Sequence, residues 1–133
     1  MADSHNLKYL RIVLVVVGII FIVGIYSLMM VWPAGWTWHT GQSDYPLMIV
    51  GVYATLGVFL IMAARNPLAN LSLIWFTVWS SIVHAVIMAF QAYGDPMQHG
   101  HFMGDIPALI IVAIVLAALT PRGVNATPMA STA

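Results

Sequence analysis

Leu71-Ser72-Leu73-Ile74-Trp75-Phe76-Thr77-Val78-Trp79-Ser80-Ser81-Ile82-Val83-His84-Ala85-Val86-Ile87-Met88-Ala89-Phe90-Gln91-Ala92-Tyr93 contains no Asp, Glu, Lys or Arg. A helix crosses a hydrocarbon core of about 30 Å with about 20 mainly apolar residues, and this stretch meets that requirement. Residues 10–31, 45–64 and 105–119 are likewise mainly apolar, with Arg11 and Asp105 near the ends of the first and last, and the last is short enough that it can begin back at Phe102 or Met103. Open strands would leave backbone groups unpaired in lipid, and the period-2 alternation of a membrane barrel is absent. The expectation is an all-α, integral membrane four-helix bundle. Short links with turn chemistry join the spans: Trp32-Pro33-Ala34-Gly35, Arg65-Asn66-Pro67 and Gly94-Asp95-Pro96. Proline ends a helix because it lacks a donor and pushes the preceding residue out of the helical region. Short links impose up-down-up-down order. Residues 1–122 then form one transmembrane domain, and residues 123–133 read as a small, polar, disordered cytoplasmic tail.

Composition agrees. The 133 residues are 62% hydrophobic and 6% charged, against about 25% charged in an ordinary soluble domain. Mean hydropathy is +0.95. A soluble globule of this size could not hide so much apolar surface. With no Cys, disulfides, thiol relays, iron–sulfur clusters and covalently attached c-type haem are excluded. The acidic residues are four Asp and no Glu, which argues against the Glu-dependent small multidrug transporters. Lys8 is the one lysine, too close to the start of the chain for a Schiff base inside a bundle. Net charge is zero, so nucleic acid is not an expected partner. The expected partners are the lipid bilayer and either further copies of the chain or a larger membrane complex.

Lys8 and Arg11 precede the first span, Arg65 joins the second to the third, and Arg122 follows the fourth. In a four-span chain these fall on one side, and the positive-inside rule places both termini in the cytoplasm of a bacterial inner membrane. Trp32, Trp36, Trp38 and Tyr45 then form an outer aromatic belt. The first span is longer than a signal-peptide core of about 7–15 residues and lacks a small-residue cleavage site, so it reads as a retained anchor.

His84 stands near the middle of the third span, where an ionisable group is costly and marks a functional site by default. Thr77, Ser80, Ser81, His84, Met88 and Gln91 recur at steps of three, four or seven and share one helix face. This stripe has two readings. Such groups serve as glue between helices, at about 0.6 kcal/mol per bond, with Tyr53, Thr55 or Ser27 as the partner of His84. Alternatively they line a ligand pocket with His84 as floor, Gln91 near the mouth, and Asp105 at the opening. A neutral imidazole there can bond a ligand carbonyl such as a quinone's, or relay a proton.

A second cluster lies in the outer loop, where Met97, His99, His101 and Met103 alternate between Asp95 and Asp105. Thioether and imidazole suit copper; imidazole and carboxylate suit zinc. The plainer account is that outer loops collect whatever polar residues are not Lys or Arg, and that alternate residues of an extended loop point apart. Asp105 ahead of Ile106-Pro107 also reads as a helix N-cap, which leaves it able to face His101 or the pocket mouth. Gly18 and Gly24, and Gly51 and Gly57, are spaced by six rather than by the GxxxG interval, yet small residues still permit close helix approach.

The segments Tyr45-Pro46 to Ala64-Arg65-Asn66-Pro67, Trp75-Phe76-Thr77-Val78-Trp79-Ser80-Ser81 to His84-Ala85, and His99-Gly100-His101 to Gly104-Asp105-Ile106-Pro107-Ala108 resemble a group of small bacterial four-span membrane proteins of unknown function. In size and span pattern the chain is more loosely similar to DoxX-like proteins, some of which accompany quinone-linked redox enzymes. The first likeness implies the fold and supplies no activity; the second is an analogy of fold. The functional expectation is a non-enzymatic accessory or small-ligand-binding subunit of an inner-membrane complex, with a polar pocket at His84, Ser80, Ser81, Gln91 and Asp105 and no catalytic residues. The rivals are a quinone-linked proton-handling component and an outer-face copper or zinc handler using Met97, His99, His101 and Met103.

Overall fold

The computed structural model describes residues 4–37 and 45–122. Helix α1 runs as Ser4–Ile19, passes through a π-helical turn at Ile20–Gly24, and continues as Ile25–Val31. A short α2 follows, Pro33–Trp36. Helix α3 is Tyr45–Ala63; α4 is Leu71–Gly94, led in by a 3₁₀ turn at Pro67–Asn70. A second 3₁₀ turn, Pro96–Phe102, leads to α5, Asp105–Leu119. Four of these helical stretches, Ser4–Val31, Tyr45–Ala63, Pro67–Gly94 and Pro96–Leu119, are long and apolar enough to cross a membrane. Among the described residues there is no strand. Residues 38–44 and 123–133, including Trp38 of the aromatic belt and the expected tail, lie outside the described residues.

The links behave as their prolines require. Trp32, Asn66 and Asp95 each precede a proline and each leave the helical region, with φ near −133°, −146° and −131°. Asp95 also accepts the backbone N–H of Met97 at 3.0 Å, which starts the 3₁₀ turn. Two expectations need correction. The first helix begins at Ser4, not near residue 10: hydropathy does not register a polar turn that can extend past the lipid edge while Lys8 and Arg11 stay exposed. The stretch ahead of α5 is a 3₁₀ turn rather than an extended loop.

The helices are packed unevenly along their length. At the end near Ala64, Leu10, Leu14, Leu60, Ile74 and Leu116 meet with their neighbours in one core that draws on α1, α3, α4 and α5. At the other end the core shrinks to Ala85, Met88, Ala92, Ile106 and Leu109, from α4 and α5 alone. Helices α1 and α3 are drawn together at Gly18 and Gly57. A Cβ on Gly18 would lie 2.7 Å from the Gly57 carbonyl oxygen, and one on Gly57 would lie 2.5 Å from the Gly18 carbonyl oxygen. The two glycines therefore let the backbones touch. Phe76, Trp79, Val83 and Phe90 of α4, Val52 and Phe59 of α3 and Ile114 of α5 are exposed. So continuous an apolar exterior fits a multi-pass membrane protein, whose outside meets lipid tails.

Candidate functional site

Where the upper core shrinks to two helices, a cavity of about 280 Å³ opens between the α4–α5 pair and the facing α1 and α3. Its walls are largely apolar, with Phe21 and Ile25 from α1, Val50 from α3, and Leu109 and Val112 from α5 among them. The π-turn contributes Ile20 and Phe21 to this wall. Such turns widen a helix locally and recur at functional sites. Five groups bring polar atoms to the lining: Trp36, Tyr53, His84, Gln91 and Asp105; Tyr45 adds a sixth near the exposed edge.

The Tyr53 Oη and His84 Nδ1 atoms are hydrogen-bonded at 2.8 Å, tying α3 to α4 across the cavity. Phe21 holds the Tyr53 ring edge-on, with centroids 5.0 Å apart, so the phenol is fixed from the α1 side. Of the three partners the sequence offered, Tyr53 is the one that reaches His84. Thr55 and Ser27 instead donate to carbonyls one turn back on their own helices, Gly51 and Val23.

A second hydrogen-bonded group stands beside the cavity. His101 is fully buried; its Nδ1 lies 2.9 Å from Asp105 Oδ1, and its Nε2 donates to the Thr37 carbonyl at 3.3 Å. Asp105 therefore lines the cavity while being held by His101. The capping role expected of it is not what the structure shows. Gly104 occupies the N-cap position with no side-chain bond, and Asp105 is the first residue of α5.

Helix α2 rests on this turn through bare backbone. A Cβ at Gly100 would collide with the Ala34 carbonyl, and one at Gly104 with the Gly35 carbonyl. The seat places the Trp36 indole at the cavity wall. Its Nε1 is buried and has no hydrogen-bond partner among the described residues. The sequence reading assigned Trp36 to the aromatic belt and missed this. The only available signal was a tryptophan held between a Pro-Ala-Gly turn and a loop with glycines at 100 and 104.

The structure thus brings His84, Gln91 and Asp105 to one cavity and leaves Ser80 and Ser81 off its lining. The reason is depth rather than angle. Thr77 and Ser81 sit on the shared face but at the level where the helices close-pack, and both are buried. Thr77 Oγ1 donates to the Leu73 carbonyl at 2.9 Å and Ser80 Oγ to the Thr77 carbonyl at 3.3 Å. The four proposed metal ligands are likewise not gathered. Met97 and Met103 are 83% and 76% exposed, while His101 is turned inward with both nitrogens engaged. His99 is exposed and packs edge-on against Phe102. Among the described residues no group of three or more His or Asp is placed to hold a metal ion.

Fold and site together define a small helical membrane-type bundle with an apolar-walled, polar-tipped cavity in its looser half. The chain belongs to a family of unknown function, DUF6632, whose pattern matches residues 4–132. No curated protein and no solved structure matches it, and a likeness to DoxX-like proteins is not shown.

Proposed function

We propose that the protein is a non-enzymatic, small-ligand-binding membrane subunit whose ligand occupies the His84 cavity. The observation that carries this is the cavity itself: apolar walls around a few converging polar groups, the usual makeup of a ligand site. His84, Gln91 and Asp105 are its polar contacts; Ser80 and Ser81 act in helix packing. Lys8, Arg11, Arg65 and Arg122 all fall at the end away from the cavity, so by the positive-inside rule the termini are cytoplasmic and the cavity lies in the outer leaflet of a bacterial inner membrane. The phenol–imidazole bond of Tyr53 and His84 favours one further reading, a quinone-linked component in which that pair handles a proton.

The test is what travels with the protein. Ala108 lines the cavity, whereas Ile114, on the same helix, faces outward. The wild type and Ile114→Phe, purified in mild detergent, are expected to retain the same lipophilic compound near one equivalent per chain, and Ala108→Phe to lose most of it while staying folded. Equal retention by all three proteins would remove the cavity as the site.

A further inference from the structure

We infer that the ligand carries two carbonyl-type acceptors on an apolar body, one accepting from Trp36 Nε1 and the other from His84 Nε2; this rests on the cavity being the binding site. The indole N–H only donates. Buried at the cavity wall with no acceptor among the described residues, it asks for an acceptor from whatever enters. His84 makes the same request. Its Nδ1 is taken by Tyr53 at 2.8 Å, and no described residue bonds Nε2. The Tyr53 hydroxyl has no other acceptor among the described residues, so we assign it as the donor to Nδ1; the neutral ring then carries its proton on Nε2 and presents a second donor. The lining also includes Phe21, Ile25, Val50, Leu109 and Val112, an apolar wall that suits hydrocarbon or a flat ring rather than a hydrated polar molecule.

The way in points to the same chemistry. Helices α3 and α4 touch each other little outside the Tyr53–His84 bond. The lining residues Tyr45, Ile49 and Gln91, which flank the α3–α4 gap, are exposed. The cavity therefore opens sideways between two helices whose outer faces are apolar, so a ligand dissolved in the bilayer can enter without crossing water. Two membrane compounds offer paired carbonyls on an apolar body: the two ester groups of a diacyl lipid, and the ring of an alkyl quinone.

The experiment uses the full chain labelled with ¹⁵N-tryptophan in dodecyl maltoside, a detergent without carbonyls. The Trp36 indole signal is identified by its absence from Trp36→Phe. Three probes are titrated: a short diacylglycerol, a decyl-substituted 1,4-benzoquinone, and decylbenzene, which has no acceptor. Saturable downfield movement of the Trp36 N–H with one carbonyl probe, and none with decylbenzene, is expected, and which probe moves it names the source. His84→Phe should weaken that probe's binding by about tenfold, the equivalent of one good hydrogen bond. Once the Trp36 signal is identified, the probe contrast is read on wild-type protein and does not depend on His84→Phe folding. If decylbenzene binds as tightly as the carbonyl probes, and Ala108→Phe blocks all three, the cavity is a ligand site but the two-acceptor assignment is wrong. If the carbonyl probes bind with the Trp36 signal unmoved, the assignment is equally overturned. If no probe binds and no compound co-purifies, the binding reading falls with it.

Discussion

Gly57→Leu is expected to lower the unfolding free energy by about 3 kcal/mol, the upper part of the usual range for overpacked interiors. A Cβ at this position meets the Gly18 carbonyl oxygen at 2.5 Å and Ile22 Cγ1 at 2.9 Å, so α1 and α3 must separate along their crossing. Backbone cannot rotate aside as a flexible side chain can, and that is why the effect is large. Gly51 supplies the control within the same helix. Nothing lies within 4 Å of a Cβ built there, and Gly51→Leu is expected to change stability by no more than about 0.5 kcal/mol. The measurement is unfolding by a denaturing detergent, titrated into mild-detergent micelles and followed by circular dichroism. Equal midpoints for the two variants would show that the α1–α3 contact is not as close as described. Separation of these helices would also draw Phe21 off Tyr53, so Gly57→Leu is expected to reduce ligand retention where Gly51→Leu does not.

His101→Leu is expected to cost about 2–4 kcal/mol, since it removes two hydrogen bonds and leaves the buried Asp105 carboxyl without its ring partner. The loss should be local as well as global. His101 is the side chain that ties Thr37 to the start of α5, and α2 otherwise rests on the backbone at Gly100 and Gly104. Amide hydrogen exchange at residues 34–37 is expected to speed up more than exchange in the core around Leu14 and Leu60. Uniform acceleration across the chain would show that His101 supports the whole bundle rather than the α2 seat. His99→Leu, two residues away and exposed, is expected to leave both readouts unchanged.

What could be read from the chain was whatever depends on length and local chemistry. The four spans are apolar runs bounded by Pro33, Pro67, Pro96 and Pro121, and each proline acts on its own neighbour. The anomaly at His84 was visible because an ionisable group at that depth has few ordinary explanations. What was hidden depends on how far apart the helices stand at each level. The helical wheel put Ser81 and His84 on one face, yet one lies in close packing and the other in a cavity. Periodicity carries no information about depth-dependent separation. The alternation of Met97, His99, His101 and Met103 invited a metal reading through its ligand types alone, and an extended chain would already have pointed alternate residues apart. A 3₁₀ turn sends His101 inward instead, toward an α2 that can approach only because Gly100 and Gly104 have no side chains. The unpartnered Trp36 Nε1 follows from that same approach, so no local pattern could reveal it.

The most direct measurement is the structure of the full chain in lipid nanodiscs, determined by electron cryo-microscopy with a rigid antibody fragment bound for size. Density for a bound molecule is expected between α3 and α4, within hydrogen-bonding distance of Trp36 Nε1 and His84 Nε2. Tyr53, His84, Val50 and Leu109 closed against one another, with no room left between them, would contradict it.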